Sequence, residues 1–388
     1  HGKEAHVSGH DEQHRELGPS TIAVRGGFSP AMGEGLVPPI NLSATFHHAI
    51  DPDPSVLPYS YGRDRSPSFL PLEMTVAQLE HAEHGVVFNA GMAAAIPVLM
   101  EAKPGTALAI AHDCYFGIRV YAETMLPERN VEVRLVDQTD LAAVEKALDG
   151  ASLFWTETPT NPLLAIADLD AIGALCQEKG VKWACDNTFA TPILQNPLKH
   201  GAWAVMHSLT KYIGGHSDLI LGAVATNDAD LANRLRVYRG KNGTQPDAFS
   251  CFLARRGAQT LAIRVRQQSA SALEIAKRIT GHPAIANVYY PGLPDFPGHE
   301  IAARQMRGGF GGMLSFEVKG GAEGAQKVID TCRVWNPATS LGSVESLIER
   351  RARWAGEVAA PGLLRLSTGI EETEDLWADL EQALAAAL

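Results

Sequence analysis

The chain has 388 residues, too many for one simple core and enough for two domains. Hydrophobic residues make up 45% and charged residues 20%, an ordinary balance for a soluble globular protein. The net charge of -11 argues against nucleic acid or an anionic membrane as a partner, and no run of about 18 apolar residues offers a transmembrane helix.

The start of the chain is polar and His-rich (His1, His6, His10, His14), has no apolar signal region and is expected to be disordered, with no metal role. Residues 19–70 are rich in Pro and Gly without periodicity and read as an extended arm or long loops. A helix is then predicted over Leu72–His81, with Leu72, Val76 and Leu79 on one face. Val86–Phe88 is a short strand, and Gly91 opens a helix. Thr106–Ala111, Val131–Val136, Ser152–Trp155, Val181–Cys185, Ala204–His207 and Leu221–Ala225 read as further strands. Helices are predicted over Leu141–Leu148, Leu169–Glu178 and Asp228–Tyr238. Strands alternating with helices imply crossover connections and a mostly parallel sheet covered on both faces. Beyond about residue 257 the texture changes: a long helix over Thr260–Ile279, strands at Val288–Tyr290, Met313–Glu317 and Leu363–Ser367, and helices at 322–331 and 373–387. This reads as a smaller α+β domain. The expected division is a tail and arm through residue 63, an α/β domain over 64–256 and a C-terminal domain over 257–388.

The five Cys (114, 176, 185, 251, 332) form no CxxC pair and are odd in number, so reduced thiols of a cytoplasmic protein are expected, not a disulfide framework or a zinc site.

Ligands of an open parallel sheet sit beyond the carboxyl ends of its strands. Five polar clusters fall at those ends: Asn89–Met92, Asp113–Tyr115, Glu157–Pro162, Asp186–Thr188 and His207–Lys211. Gly91, Met92 and Ala93 start a helix directly after a strand, where free N–H groups and the helix dipole suit a phosphate. Ser208 and Thr210 can add hydroxyls to the same phosphate. Lys211, at a strand end and partly desolvated, has the position of an imine-forming amine with a lowered pKa. Asp186 ends an apolar strand and can pair with a protonated pyridine nitrogen, making the ring an electron sink. No G-x-G-x-x-G opens the first strand–helix unit, which excludes a nicotinamide dehydrogenase.

The runs Phe88–Ala94, Glu157–Pro162, Asp186–Pro192 and His207–Asp218 resemble the Cys/Met-metabolism (trans-sulfuration) family of pyridoxal 5'-phosphate (PLP) enzymes. Ser340-Leu341-Gly342 with Glu345–Ile348, and Arg365–Glu371, resemble it too, so the likeness covers roughly residues 20 to 388. It implies the type I, aspartate-aminotransferase-like fold and a homo-oligomer, a dimer of dimers. It implies that PLP is carried on Lys211, with Tyr115 stacked on the ring and exchanging protons and Asn161 bonded to the phenolic oxygen. Tyr61 and Arg63 match the arm motif that reaches a neighbouring subunit's phosphate. Arg365 matches the arginine that holds the substrate α-carboxylate, and Ser340 a substrate-side residue.

Several positions depart from the family pattern: Ser66-Pro67-Ser68 after the arm motif, Phe116 after the tyrosine, Thr339 where cystathionine-handling members commonly have Glu, and the basic run 349–357. Thr339 counts as a substrate-side residue, with Glu345 or Glu349 as alternative sources of the absent carboxylate. The implied activity is elimination at Cγ of sulfur-containing amino acids, cystathionine γ-lyase-like, yielding an oxo acid, ammonia and a thiol. The alternatives are γ-replacement (cystathionine γ-synthase-like or an O-acyl-homoserine sulfhydrylase), methionine γ-lyase activity, or a PLP-fold binding protein without turnover. Lys211, Asp186 and Arg365 together argue against the last.

Overall fold

The computed structural model describes residues 17–49, 59–353 and 359–388. The four N-terminal His residues and the end of the basic run 349–357 lie outside the described residues.

Seven strands form the larger sheet: β1 (His84–Phe88), β2 (Ala107–Ala111), β3 (Glu132–Val136), β4 (Ala151–Glu157), β5 (Lys182–Asp186), β6 (Ala204–Ser208) and β7 (Gly222–Thr226). Their order is β1-β7-β6-β5-β4-β2-β3. β3, β2, β4, β5 and β6 pair in parallel, while β7 runs antiparallel to both β6 and β1. Alternate residues feed cores on opposite faces. Phe88, Ile110, Trp155 and Met206 enter one cluster, and Ala109, Phe154, Trp183 and Val205 another. Fully buried Phe88 and Phe154 each contribute about 2 kcal/mol of apolar burial. Helix termini follow local chemistry: Asp140 and Asp168 accept backbone N–H groups at the starts of Leu141–Leu148 and Leu169–Lys179, and Gly180 closes the latter in the left-handed conformation.

The smaller sheet is built from β8 (Ile285–Tyr289), β9 (Met313–Val318), β10 (Asn336–Pro337), β11 (Leu347–Arg350) and β12 (Leu363–Ser367), in the order β10-β11-β12-β9-β8. Apolar residues of helices Leu261–Ile279, Gly321–Thr331 and Thr373–Ala386 share one core with Leu314, Phe316, Ile348, Leu364 and Leu366.

The arm expectation is corrected at Pro19–Arg25, which is a helix. Two turns with one buried residue, Ala23, are too short to carry a readable period. Over the described residues 26–49 the arm is open chain, and its Met32, Leu36 and Leu42 are exposed. Ser66 and Ser68 are buried; Ser68 Oγ accepts from Asn41 N at 2.8 Å and donates to Asn41 O at 3.0 Å, which pins the arm to the helix Leu70–Leu79.

Candidate active site

A cavity of about 660 Å³ opens where the carboxyl ends of the larger sheet's strands meet the segment 339–341 and β12 of the smaller domain. Each strand end delivers side chains to it: Ala90 to Met92 after β1, Tyr115 after β2, Glu157 and Asn161 with β4, Asp186 and Thr188 with β5, and Met206, Ser208, Thr210 and Lys211 with β6. Thr339, Ser340 and Arg365 complete the wall. Of the residues assigned from sequence to cofactor and substrate, Gly91, Met92, Tyr115, Asn161, Asp186, Ser208, Thr210, Lys211, Thr339, Ser340 and Arg365 line it, whereas Tyr61, Arg63 and the alternative acids Glu345 and Glu349 do not. Tyr61 is 44% exposed, bridges to Thr45, and carries the Arg63 guanidinium over its ring at 5.1 Å.

Helix Gly91–Leu99 begins without a side-chain cap, and Ala90, Gly91 and Met92 at its start line the cavity. A side chain at Gly91 would meet Ser208 Cβ at 3.0 Å and Oγ at 3.1 Å, so glycine is what lets Ser208 lie against the helix start. The Thr210 hydroxyl is engaged with Leu221, donating to its carbonyl and accepting from its N–H, both at 3.2 Å. A helix start of this kind, with adjacent hydroxyls, fits a phosphate.

Lys211 Nζ donates to Ser340 Oγ at 2.7 Å. Burial, reinforced by the positive charge of Arg365, lowers its ammonium to about 8, with Glu349 opposing the shift. Ser340 itself has φ 79°, a conformation disfavoured for a residue with Cβ, and such strain concentrates at functional sites. Asp186, in the same cavity, accepts at Oδ1 from Thr188 N at 3.0 Å and Thr188 Oγ1 at 2.5 Å. Burial raises the Asp186 carboxyl, and the Thr188 bonds followed by His207 pull it back toward the charged form. A cavity lined by both a lysine amine with a lowered pKa and a buried carboxyl fits PLP, which brings an aldehyde and a basic ring nitrogen.

Arg365 is held in a fixed pose. Its Nη1 donates to Asn161 Oδ1 at 2.9 Å, and its Nη2 to Ser340 O at 3.0 Å and Glu349 Oε2 at 2.8 Å. Glu349, the lateral partner of Arg365 across β11 and β12, is 2% exposed and also accepts from Arg351 at 2.8 Å and Arg353 at 3.3 Å.

Sequence reasoning passed over three contributors. Glu157 stands in the sequence reading only as the first residue of the cluster Glu157–Pro162. It is buried, accepts Tyr115 N at 2.7 Å, and is pushed well above the usual carboxyl range by burial and by Asp186. Thr188 and Arg351 also line the cavity. Glu157 and Thr188 sit beside recognised positions at strand ends, a signal that was available; nothing local distinguishes Arg351.

The family model for the Cys/Met metabolism PLP-dependent enzymes matches residues 20–385. The chain belongs to this family. It is 42% identical over 378 residues to a cystathionine gamma-synthase of Mycobacterium tuberculosis, covering 95% of this chain and 97% of that one. It is 38% identical to a cystathionine gamma-lyase of Dictyostelium discoideum, covering 94% and 97%. The crystal structure of cystathionine gamma synthase from Xanthomonas oryzae pv. oryzae in complex with cystathionine matches with TM-score 0.91 and 38% identity, covering 96% of this chain and 98% of that one. The protein is thus a PLP-dependent enzyme of cysteine and methionine metabolism, a lyase or γ-replacement transferase, with the type I PLP fold. Among the described residues no helix is long and apolar enough to cross a membrane.

Proposed function

We propose that this cavity carries out elimination or replacement at Cγ of sulfur-containing amino acids, with cystathionine γ-lyase-like elimination as the first outcome. One observation carries the reading: the Lys211 amine, lowered to about 8, lies bonded to Ser340 within the field of Arg365, in the cavity that the buried Asp186 also lines. The start of helix Gly91–Leu99, with Gly91, Met92, Ser208 and Thr210, would hold the phosphate; Asp186 would face the ring nitrogen, Asn161 the phenolic oxygen, Tyr115 the ring, and Lys211 the aldehyde. Bound PLP supplies an electron sink for charge that develops at the substrate Cα.

The protein's own part is orientation and proton handling. Arg365, pre-set by Asn161, Ser340 O and Glu349, receives the α-carboxylate with little reorganisation. Lys211, once free, is a base of suitable strength for the Cα proton, and Tyr115 donates a proton to the departing γ-substituent. Ser340 keeps Lys211 aimed at the substrate side. Thr339, exposed at the mouth, meets the distal end of the substrate.

A second reading, γ-replacement, is favoured by the higher identity to the relative named cystathionine gamma-synthase than to the one named cystathionine gamma-lyase. It shares every residue above and differs in whether a thiol or water captures the unsaturated product. Tyr61 and Arg63, remote from their own cavity, support a homo-oligomer, a dimer of dimers in which they complete a neighbour's phosphate site. The same reading divides the chain at 63/64 and 256/257 and places the enzyme in the cytoplasm.

Two experiments test this. Borohydride should fix PLP to the peptide carrying Lys211; label on any other lysine overturns the assignment. A panel of cystathionine, methionine and O-acyl homoserines, with and without cysteine, should yield oxo acid and ammonia if elimination dominates and thioether if replacement does.

A further inference from the structure

Behind the cavity lies a buried polar cluster that the proposed chemistry does not use. Met206 and Ser208 line the cavity, so His207 between them points to the other face of β6. There it meets Glu80, which follows helix Leu70–Leu79 and is fully buried. Glu80 Oε1 accepts from His207 Nε2 at 2.5 Å and from Asn187 Nδ2 at 2.8 Å, and Oε2 accepts from Asn196 Nδ2 at 3.2 Å. Asn187 is itself braced: its Nδ2 donates to Gln195 O at 3.0 Å and its Oδ1 accepts from Gln195 Nε2 at 3.1 Å.

A buried carboxyl is tolerated only where donors surround it. Two of the three donors to Glu80, Asn187 and His207, come from strand ends, and Asn196 is the third. Asn187 follows Asp186 at the end of β5, and His207 precedes Ser208 at the end of β6. On the cavity side the same two ends are joined by Thr188, whose Oγ1 accepts from Ser208 N at 2.9 Å and donates to Asp186. The strand ends are therefore fastened on both faces, by Thr188 in front and by Glu80 behind.

We propose that Glu80, acting through Asn187 and His207, is a positioning residue that holds Asp186 in its cofactor-facing place. This rests on the reading of Asp186 as partner of the ring nitrogen.

A purely structural cluster would affect all ligands of the cavity alike, whereas one acting through the Asp186 charge discriminates by the ring nitrogen. The test measures dissociation constants of the full-length protein, stripped of cofactor, for PLP and for its 1-deaza analogue, in which CH replaces that nitrogen. Glu80→Gln keeps the shape and replaces one acceptor oxygen by an amide; His207→Gln keeps a donor and removes the ring, and serves if the first variant does not fold. Either variant should weaken PLP binding about tenfold while changing the analogue less than about threefold, the scale expected of a supporting partner one layer out. Equal losses for both ligands, or no loss for PLP, overturn the proposal while leaving the Asp186 reading in place. If the wild-type protein itself binds both ligands alike, the Asp186 reading falls and this inference with it.

Discussion

Glu157 and Asp186 are lateral partners in the register of β4 against β5, and both carboxyls are buried on the wall of one cavity. Each disfavours the charge of the other. Burial raises both, and Asp186 adds to the rise of Glu157. A cationic ring nitrogen at Asp186 relieves that repulsion, so cofactor binding and the protonation of this pair are linked.

The first prediction follows from the sign of those shifts. A raised carboxyl keeps its proton in the folded chain after the unfolded chain has lost it. The pair's contribution to stability is therefore full below the unfolded carboxyl pKa and is lost as pH rises toward the folded values. In cofactor-free protein, Glu157→Gln removes one of the two charges that must otherwise form. Its melting temperature relative to wild type should rise as pH climbs from about 4, the ordinary carboxyl value, towards neutrality. A difference that stays flat across that range refutes the linkage.

The second concerns Lys211. Burial first, then Arg365, lowers its ammonium to about 8, so the reactive free amine grows with pH up to that region and then levels off. The rate at which cofactor-free protein captures PLP should follow the same curve. Arg365→Gln removes a lowering influence and should move the midpoint up; Glu349→Gln removes the opposing negative charge and should move it down. Midpoints unchanged in both variants would mean that burial alone sets the amine. Lys211→Ala should cost at least about a hundredfold in kcat while still holding PLP non-covalently.

The third concerns assembly. Arg63 stacks on Tyr61 away from its own cavity, and the surrounding arm exposes Met32, Leu36 and Leu42. If the arm serves a neighbouring subunit, Lys211→Ala and Arg63→Ala chains, each inactive alone, should regain about a quarter of wild-type activity when mixed one to one under conditions of subunit exchange. Proven exchange without recovery places the action of Arg63 within its own subunit or away from the phosphate.

Most of the larger sheet was legible because its strands are apolar runs bounded by Gly, Pro or polar clusters, and the site was legible because those clusters fall at strand ends. What escaped has a physical reason. Helix Phe116–Met125 buries only Ile118 and Ala122 and carries Gly117 and β-branched residues, so its period is faint. Helix Ala248–Ala258 has a buried arginine, Arg255, donating to Gly26 O at 3.3 Å, where a pattern reader expects a surface charge. β11 holds Glu349 inward to neutralise Arg365, a tertiary requirement invisible in the run of charges that follows Ile348.

The last prediction concerns substrate choice at Thr339. Cystathionine carries a distal ammonium that an acidic side chain at the cavity mouth would recognise. The two alternative acids are otherwise engaged: Glu349 is buried among Arg365, Arg351 and Arg353, and Glu345 accepts the Ser217 hydroxyl. Neither lines the cavity, whereas Thr339 does. A hydroxyl accepts a hydrogen bond but brings no charge, so the distal ammonium should be favoured less, by roughly 1–2 kcal/mol. Phe116, also on the wall, adds apolar surface that suits a less polar distal group. The enzyme should therefore accept cystathionine without a strong preference over simpler γ-substituted substrates. Thr339→Glu should raise kcat/KM for cystathionine about tenfold relative to methionine or O-acetyl-homoserine. A wild-type preference for cystathionine of about a hundredfold, on the order of 3 kcal/mol, would show that the distal group is recognised elsewhere.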